Sequence, residues 1–217
     1  MVSTGGKMMG KRARMAGLSI VELMVTILVL SILMAIAVPS FRGTMNRGNL
    51  ASAVNTLSAD IQFARGAASS EHRFVSICRS TSGTQCDLPT GSAHDYDAGW
   101  IVYSYDVSST DPAKSGPDQS YTAGSSNMTI LRYTPQLRGV SVRATDVNVF
   151  TFNQTGQFVA SAGRTGLNFV ACSRGTLSDA SDQLGTNEQG KQGSLLVLRQ
   201  SGSFTVLPLP LTSSCLL

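Results

Sequence analysis

Residues 17–39 read GLSIVELMVTILVLSILMAIAVP, and this stretch decides how the chain is organised. The run from Leu18 to Val38 is 21 residues long and is apolar except for a few hydroxyl side chains and Glu22. A helix of this length, at 1.5 Å per residue, spans the ~30 Å hydrocarbon core of a bilayer. The run therefore predicts a transmembrane helix, since the apolar part of a cleaved secretory signal has only ~7–15 residues.

Glu22 is the one acid inside this run. A carboxylate in hydrocarbon costs roughly 2.5–3.5 kcal/mol on insertion scales. A partner of opposite charge would offset that cost, because two opposite charges stabilise each other when they are paired away from water. The alternatives are a secretory signal cut near Ala35-Ile36-Ala37 and a plain single-pass anchor, and neither explains Glu22.

Basic residues before the run set its expected orientation. Residues 1–17 contain Lys7, Lys11, Arg12 and Arg14 and no acid. By the positive-inside rule, the N-terminus stays in the cytoplasm and the chain after residue 41 crosses the membrane. The whole chain has 17 basic and 13 acidic residues, so removal of the four leaves a formally neutral protein. A neutral protein has no overall electrostatic attraction for nucleic acid.

The segment Gly17-Leu18-Ser19-Ile20-Val21-Glu22 resembles the processing site of type IV prepilins and of type II secretion pseudopilins. The resemblance implies that prepilin peptidase cleaves between Gly17 and Leu18 and that Leu18 is N-methylated. It implies that Glu22 pairs with the N-terminal amine of a neighbouring subunit. Pro39 falls where pilins commonly carry a helix-kinking proline.

The same resemblance implies partners and a location. The partners are prepilin peptidase, other major and minor pilins or pseudopilins, an inner-membrane assembly platform and membrane lipid. The location is the inner membrane, as a single-pass protein with a periplasmic head, and afterwards a pilus or pseudopilus. We expect no cofactor and no metal, and nucleic acid is not an expected partner.

A helical pattern continues beyond the apolar run. One face carries apolar side chains at spacings of three and four, with polar residues such as Asp60 between them. They are Leu50, Val54, Leu57, Ile61, Ala64 and Ala68. The pattern predicts one helix from Leu18 to Ser69, bent near Pro39 because proline lacks a backbone donor. Its second half would pack on the strands that follow, and a free coiled coil is the alternative.

Short runs rich in Val, Ile, Phe and Tyr follow from residue 74 and predict antiparallel strands. The predicted strands are Phe74–Arg79, Trp100–Tyr105, Met128–Tyr133, Val140–Arg143, Val147–Asn153, Gln157–Ala160, Leu167–Cys172, Leu195–Arg199 and Phe204–Leu207. Asn153–Gly156 and Gln200–Gly202 are predicted hairpin turns. The expected class is α+β, with a long N-terminal helix packed on an antiparallel sheet, as in the pilin fold. Long loops are expected at residues 80–99, 107–127 and 173–193.

This pattern divides the chain into four segments. We expect a cleaved leader at residues 1–17 and a transmembrane or filament-core helix at 18–41. An amphipathic helix at 42–70 then packs on a β-rich periplasmic head at 71–217.

The four cysteines all lie beyond the transmembrane run, in the part expected outside the cytoplasm. An even number there predicts two disulfides, for which three pairings exist. We favour Cys78 with Cys86 and Cys172 with Cys215, since each pair closes a loop-rich or terminal segment. His72 and His94 lack the spacing to the cysteines that a zinc site needs.

The β-rich part resembles the GspH/FimT-like domain, the pilin branch that contains the pseudopilin GspH and the minor pilins FimU and FimT. The resemblance rests on Phe63-Ala64-Arg65, Val75–Cys78, Gly99-Trp100-Ile101-Val102-Tyr103, Phe150–Asn153 and Phe169–Cys172. Trp100, Phe152 and Phe169 are expected to be core residues on strands.

The sequence contains no motif of a catalytic nucleophile and no glycine-rich phosphate loop, so we expect no enzymatic activity. Asp95 and Asp97 could hold a cation, but two carboxylates are too few for calcium, and solvated loop carboxylates are the simpler interpretation.

The favoured function is a minor pilin that helps to initiate assembly of a type IV pilus, and the alternative is a GspH-type pseudopilin of a type II secretion system. A third hypothesis is a DNA-binding pilin. It would need Arg164, Arg174, Lys191 and Arg199 to cluster in space, because the chain has no basic C-terminal tail.

Overall fold

The computed structural model describes residues 19–87, 95–107, 116–145, 149–159, 163–174 and 184–216. The chain divides into two compact units, Met1–Phe41 and Arg42–Leu217. We call them the N-terminal unit and the globular unit.

A single helix, α1, extends from Ile20 to Glu71. Its predicted first residue, Leu18, lies outside the described residues, and its end is two residues beyond the predicted Ser69. The helix ends where His72 takes a positive φ of 53°, a left-handed conformation that commonly terminates helices. Pro39 lies within the span of α1, and the bend expected there stays a prediction.

Eight strands follow in the globular unit. They are β1 (Phe74–Arg79), β2 (Trp100–Tyr105), β3 (Thr129–Thr134), β4 (Val140–Ala144), β5 (Phe150–Phe152), β6 (Gly166–Ser173), β7 (Ser194–Arg199) and β8 (Phe204–Pro208). They form two four-stranded sheets, in the orders β3-β2-β1-β5 and β4-β6-β7-β8. All neighbours are antiparallel. The predicted α+β class is confirmed, although the strands divide between two sheets rather than forming one.

One predicted strand is wrong. In the segment Gln157–Ala160, Phe158 forms only an isolated bridge to Phe152, and Ala160 lies outside the described residues. The chain has just reversed at the predicted turn, where the Gly156 N–H donates to the Asn153 carbonyl at 2.8 Å. The preceding strand is also shorter than Val147–Asn153: β5 has three residues, and Val147 lies outside the described residues.

The main hydrophobic core lies between α1 and both sheets. The predicted helix face is confirmed, because all six of its apolar residues are buried. Trp100, Phe152 and Phe169 are fully buried, as expected, and they come from both sheets. Burial of large aromatic side chains supplies much of the stabilisation of such a core. The globular unit therefore needs the second half of α1 to complete its interior.

Strand β2 is buried on both of its faces. Trp100 and Val102 face the main core, whereas Ile101, Tyr103 and Tyr105 belong to a second cluster on the other side. Tyr121, inside the long connection after β2, packs against this second cluster, as do Met128 and Ile130 at the end of that connection. Part of the loop predicted at 107–127 thus covers a sheet face.

Candidate assembly site

The N-terminal unit exposes an apolar helix surface. Large aliphatic side chains along α1 from Ile20 to Val38 are between 48% and 75% exposed. Within the described residues, α1 is the one helix with the length and composition to cross a bilayer. A continuous apolar surface of this size in a folded protein marks a site of contact with lipid or with other protein chains.

Glu22 lies in the first turn of α1 and is exposed. The positive end of the helix dipole favours an acid there, but only by about 0.3–1 kcal/mol. This is less than the roughly 2.5–3.5 kcal/mol that the carboxylate costs inside a bilayer. The helix dipole alone therefore does not offset the cost of the Glu22 carboxylate in lipid. The residues of the expected processing site, Gly17 and Leu18, lie outside the described residues.

Asp60 joins α1 to the first sheet. It is 2% exposed and accepts hydrogen bonds from Trp100 Nε1 at 2.9 Å, Thr134 Oγ1 at 2.6 Å and Arg132 Nη1 at 2.6 Å. Asp60 is one of the polar residues between the apolar positions of the predicted helix face, and it is buried as they are. Its three donors come from β2 and β3, so only tertiary pairing explains its burial.

The predicted Phe63-Ala64-Arg65 segment contacts both sheets. The Arg132 guanidinium lies 4.0 Å from the centre of the Phe63 ring, a cation–π distance. Arg65 Nη1 donates to the Gly202 carbonyl at 3.3 Å, in the turn between β7 and β8. A Cβ on Gly202 would lie 2.5 Å from the carbonyl oxygen of Gly156, so glycine is required where these two turns meet under Arg65.

Asp95 and Asp97 are buried, and the expectation of solvated loop carboxylates is wrong. Asp97 is paired with Arg174 and lies 3.3 Å from Arg143 Nη1, and it also accepts the Val142 N–H at 3.0 Å. The Asp95 carboxylate lies 3.0 Å from Arg79 Nε. Burial raises the pKa of Asp97, and the two arginines and the Val142 N–H oppose that shift.

These arginines occupy the position that a cation would take. The described residues include no group of three or more His, Cys, Asp or Glu side chains that could hold a metal ion. His94 lies outside the described residues, and His72 is exposed at the end of α1. The two acids therefore act as a structural ion-pair network that joins the start of β2 to β4 and the end of β6.

Two of the four basic residues considered for DNA binding are already paired inside the protein. Arg174 contacts Asp97, and Arg164 Nη2 donates to Asp118 at 2.6 Å. Asp118 also accepts from Thr151, which bonds in turn to the buried Ser76 hydroxyl. Only Lys191 and Arg199 of the four are exposed.

Both disulfides in the structure have the pairing favoured from the sequence. Cys78 at the centre of the first sheet is bonded to Cys86, and Cys172 on β6 is bonded to Cys215 near the C-terminus. The first bond holds the start of the loop after β1, where Asp87 accepts two hydrogen bonds from Thr81. The second fixes the C-terminal segment against the second sheet.

A shallow groove of about 260 Å³ lies between α1 and the connection from β3 to β4. It is lined by Asn49, Ser52, Ala53, Gln136, Leu137, Arg138 and Val140. The lining is mixed, without the set of convergent polar groups that marks a ligand pocket. The groove gives no support for a small-molecule site.

The family comparison covers most of the globular unit. The model of a family described as "Type II transport protein GspH" matches residues 53–197. That range begins on the buried face of α1 and ends on β7. It therefore includes most of the helix–sheet core, the Asp97–Arg174 pair and the Asp118–Arg164 pair. A comparison with curated proteins gives no match.

Two crystal structures of the type IV minor pilin FimU from Pseudomonas aeruginosa PAO1 are similar to this chain, both at 20% identity. One has a TM-score of 0.47 and the alignment covers 78% of this chain and 96% of FimU. The other has a TM-score of 0.45, with 76% and 99% covered. The match of the family model to two thirds of the chain shows that this protein belongs to the GspH family of type IV pilin-like proteins.

Proposed function

We propose that this chain is a minor type IV pilin that is incorporated in the pilus and helps to initiate its assembly. The observation that carries the proposal is the exposed apolar surface of α1 from Ile20 to Val38, which includes the single acid Glu22. The later part of the same helix, from Leu50 onward, buries one face in a folded unit of the GspH family. A subunit of this design inserts first in a membrane and afterwards in a bundle of similar helices.

The proposed mechanism begins with processing. Prepilin peptidase removes residues 1–17 at the cytoplasmic face of the inner membrane, and the new N-terminus at Leu18 is methylated. Residues 18–41 anchor the protein, residues 42–70 pack on the head, and residues 71–217 form the periplasmic head. Other pilins and the inner-membrane platform are then the partners in assembly.

Glu22 would select the position of the subunit in the filament. Its carboxylate and the amine of a neighbouring Leu18 are each unfavourable in lipid, and their pairing reduces that penalty only at the correct stagger. The pair therefore contributes to register more than to bulk affinity. The family is structural, and the groups described above provide no catalytic arrangement.

A GspH-type pseudopilin of a type II secretion system is the second candidate. The description of the matching family favours it directly. Both functions use the same helix and the same processing, so the chain itself does not separate them. A DNA-binding pilin has less support, because Arg164 and Arg174 are engaged in internal ion pairs.

The test is incorporation in filaments. In a strain that lacks the gene, we expect the wild-type chain to restore pili and to appear in sheared filaments. Glu22→Ala should insert in the membrane yet fail to enter filaments. Thr26→Val is the matched control, because it also removes a polar group from the exposed part of α1. Normal incorporation of Glu22→Ala would refute the role of Glu22, and restoration of protein secretion in place of pili would select the second candidate.

A further inference from the structure

Hydrogen bonds bring three distant segments together at one end of the globular unit. Arg47 on α1 donates from Nε to the carbonyl of Gly190 at 3.0 Å. Gly190 lies in the turn between Glu188 and Lys191, whose backbones form a bridge. Lys191 is therefore fixed beside the first turns of the globular part of α1, although it is 144 residues from Arg47 in the chain.

The same loop holds the C-terminal segment. Asn187 Nδ2 donates to the carbonyls of Pro210 at 2.7 Å and Ser213 at 2.9 Å, which are the two ends of a tight turn. Leu211 lies in that turn and is 50% exposed. Gln192 Nε2 donates to the Leu209 carbonyl at 2.8 Å. The loop at residues 187–192 therefore contacts both the turn that carries Leu211 and, through Gly190, Arg47. We call the exposed side chains around this loop, Arg42, Arg47, Lys191 and Leu211, the basic surface.

Two basic residues of this surface follow the apolar run closely in the sequence. Arg42 follows Phe41 directly, and Arg47 is five residues further, which is about 7.5 Å along a helix. Arg42, Arg47 and Lys191 are exposed, and the ion pairs of the described residues include none of them. Within the described residues 184–193, Glu188 is the one acid. The surface combines net positive charge with an exposed leucine, a composition that binds anionic bilayer surfaces.

Lys191 precedes β7 and Leu211 follows β8. The turn at the other end of this β7–β8 hairpin provides a contrast. The turn between β7 and β8 contacts Arg65 through Gly202. Arg65 lies 18 residues beyond Arg47 on α1, which is about 27 Å along the helix. Ser201 and Arg199 at that end are exposed. They belong to the same pair of strands but lie far from the basic surface.

We propose that Arg42, Arg47, Lys191 and Leu211 form a docking surface for anionic phospholipid headgroups. It holds the globular unit against the bilayer while the subunit awaits assembly. The basic side chains attract the lipid phosphates, and Leu211 enters the interfacial region. The inference rests on membrane insertion of residues 18–41, as proposed above, and adds a second lipid contact that insertion does not require.

The test uses the full chain reconstituted in vesicles of phosphatidylcholine alone or of phosphatidylcholine with phosphatidylglycerol. All four native cysteines are in disulfides, so a single added thiol can be labelled. A fluorophore is attached at Leu211→Cys, or at Ser201→Cys as the matched control, and is quenched by nitroxide-labelled lipid. Alkaline extraction reports insertion independently, so loss of insertion would contradict the proposed function and not the docking surface.

We expect quenching at position 211 to be about twofold or more stronger in anionic vesicles, and to fall with added salt. The double variant Arg42→Gln/Lys191→Gln should remove this difference, and Arg199→Gln should leave it unchanged. The position 201 probe should not be quenched in either vesicle. Equal quenching at 211 in the two vesicles, or no effect of the double variant, would overturn the proposal. Protection of position 211 by a co-reconstituted pilin, without lipid quenching, would assign the surface to protein.

Discussion

The carboxylate of Asp60 accepts a hydrogen bond from the indole N–H of Trp100 at 2.9 Å, which joins the middle of α1 to β2 in the interior of the protein. Thr134 and Arg132 on β3 donate to the same carboxylate. A buried acid with three donors fixes the position of the helix along the sheet and its rotation about its own axis, since each donor has a set direction. The position of α1 thus depends on directional bonds as well as on apolar packing.

We predict that Asp60→Ala lowers the free energy of unfolding by about 3 kcal/mol, because it leaves the Trp100 and Thr134 donors buried without an acceptor. Trp100 is the only tryptophan of the chain and is fully buried, so its fluorescence reports unfolding in urea. Asn55→Ala, on the exposed side of α1, should change stability by less than about 0.5 kcal/mol. Equal effects of the two variants would contradict the anchoring role of Asp60.

The Asp97–Arg174 pair makes a second prediction. Both side chains are almost completely buried, at 0% and 1% exposure. Loss of either partner leaves the other charge in the interior, so Asp97→Asn and Arg174→Gln should each destabilise by roughly 3–5 kcal/mol. The double variant should be less destabilised than the sum of the two. Thermal unfolding of all four proteins measures the coupling, and strict additivity would show that the pair contributes no mutual stabilisation.

The two disulfides should differ in how much they contribute to the stability of the folded protein. Their cysteines are separated by 8 residues in Cys78–Cys86 and by 43 in Cys172–Cys215. In the chain-entropy model these loops stabilise by about 2.5 and 4 kcal/mol, because the longer loop restricts the unfolded chain more. Removal of Cys172 and Cys215 together should lower the melting temperature more than removal of Cys78 and Cys86. The reverse order would mean that local packing dominates over loop length.

Under the proposed function, leader processing should depend on Gly17. We predict that Gly17→Ala slows cleavage and that Gly17→Phe blocks it, leaving a precursor 17 residues longer on immunoblots. Gly10→Phe adds the same bulk within the leader and should be processed normally. A mature N-terminus at Leu18, established by sequencing, would support the site, whereas normal cleavage of Gly17→Phe would contradict it.

Acidic pH should lower the local stability of the loop after β1. Burial alone raises the pKa of Asp87, but hydrogen bonds from the Thr81 side chain and N–H and from Gln85, with Arg79, hold that pKa below its usual value. The charged form therefore adds stability above the unfolded pKa of about 3.9, and this is lost as the pH falls through the lower folded pKa. The protection factor of the Thr81 amide against hydrogen exchange should fall in that acidic range. Asp87→Asn should remove this pH dependence. An unchanged pH profile in Asp87→Asn would contradict it.

The periodic features of the chain were open to prediction. All six apolar residues of the predicted face of α1 are buried, because a repeat of three and four residues determines which side chains share a face. Ala53, Asp60 and Ala67 are buried beside them and were not predicted. The bounds of β1 and β2 were also correct, since runs of β-branched and aromatic residues between turns have few alternative structures. Gln157–Ala160 has the same composition, but the tight turn before it leaves Phe158 room for a single bridge.

The burial of three acids could not be predicted from the sequence. Asp60, Asp95 and Asp97 occupy positions that suit a solvated side chain as well as a buried one. What distinguishes them is their partners, which lie as far as 77 residues away in sequence for Asp97 and Arg174. A local pattern contains no information on such partners, since desolvation becomes tolerable only when the donors arrive together.

The sequence by itself determined the long helix, its apolar first half with Glu22, the α+β class and the favoured cysteine pairs, because each depends on spacing along the chain. Only the tertiary structure decided that the strands form two sheets, that three acids are interior, and that the turn with Gly190 and Lys191 contacts Arg47. Those relationships depend on segments that meet after folding, and the free energy of a buried charge or a packed turn is set by neighbours that are distant in sequence.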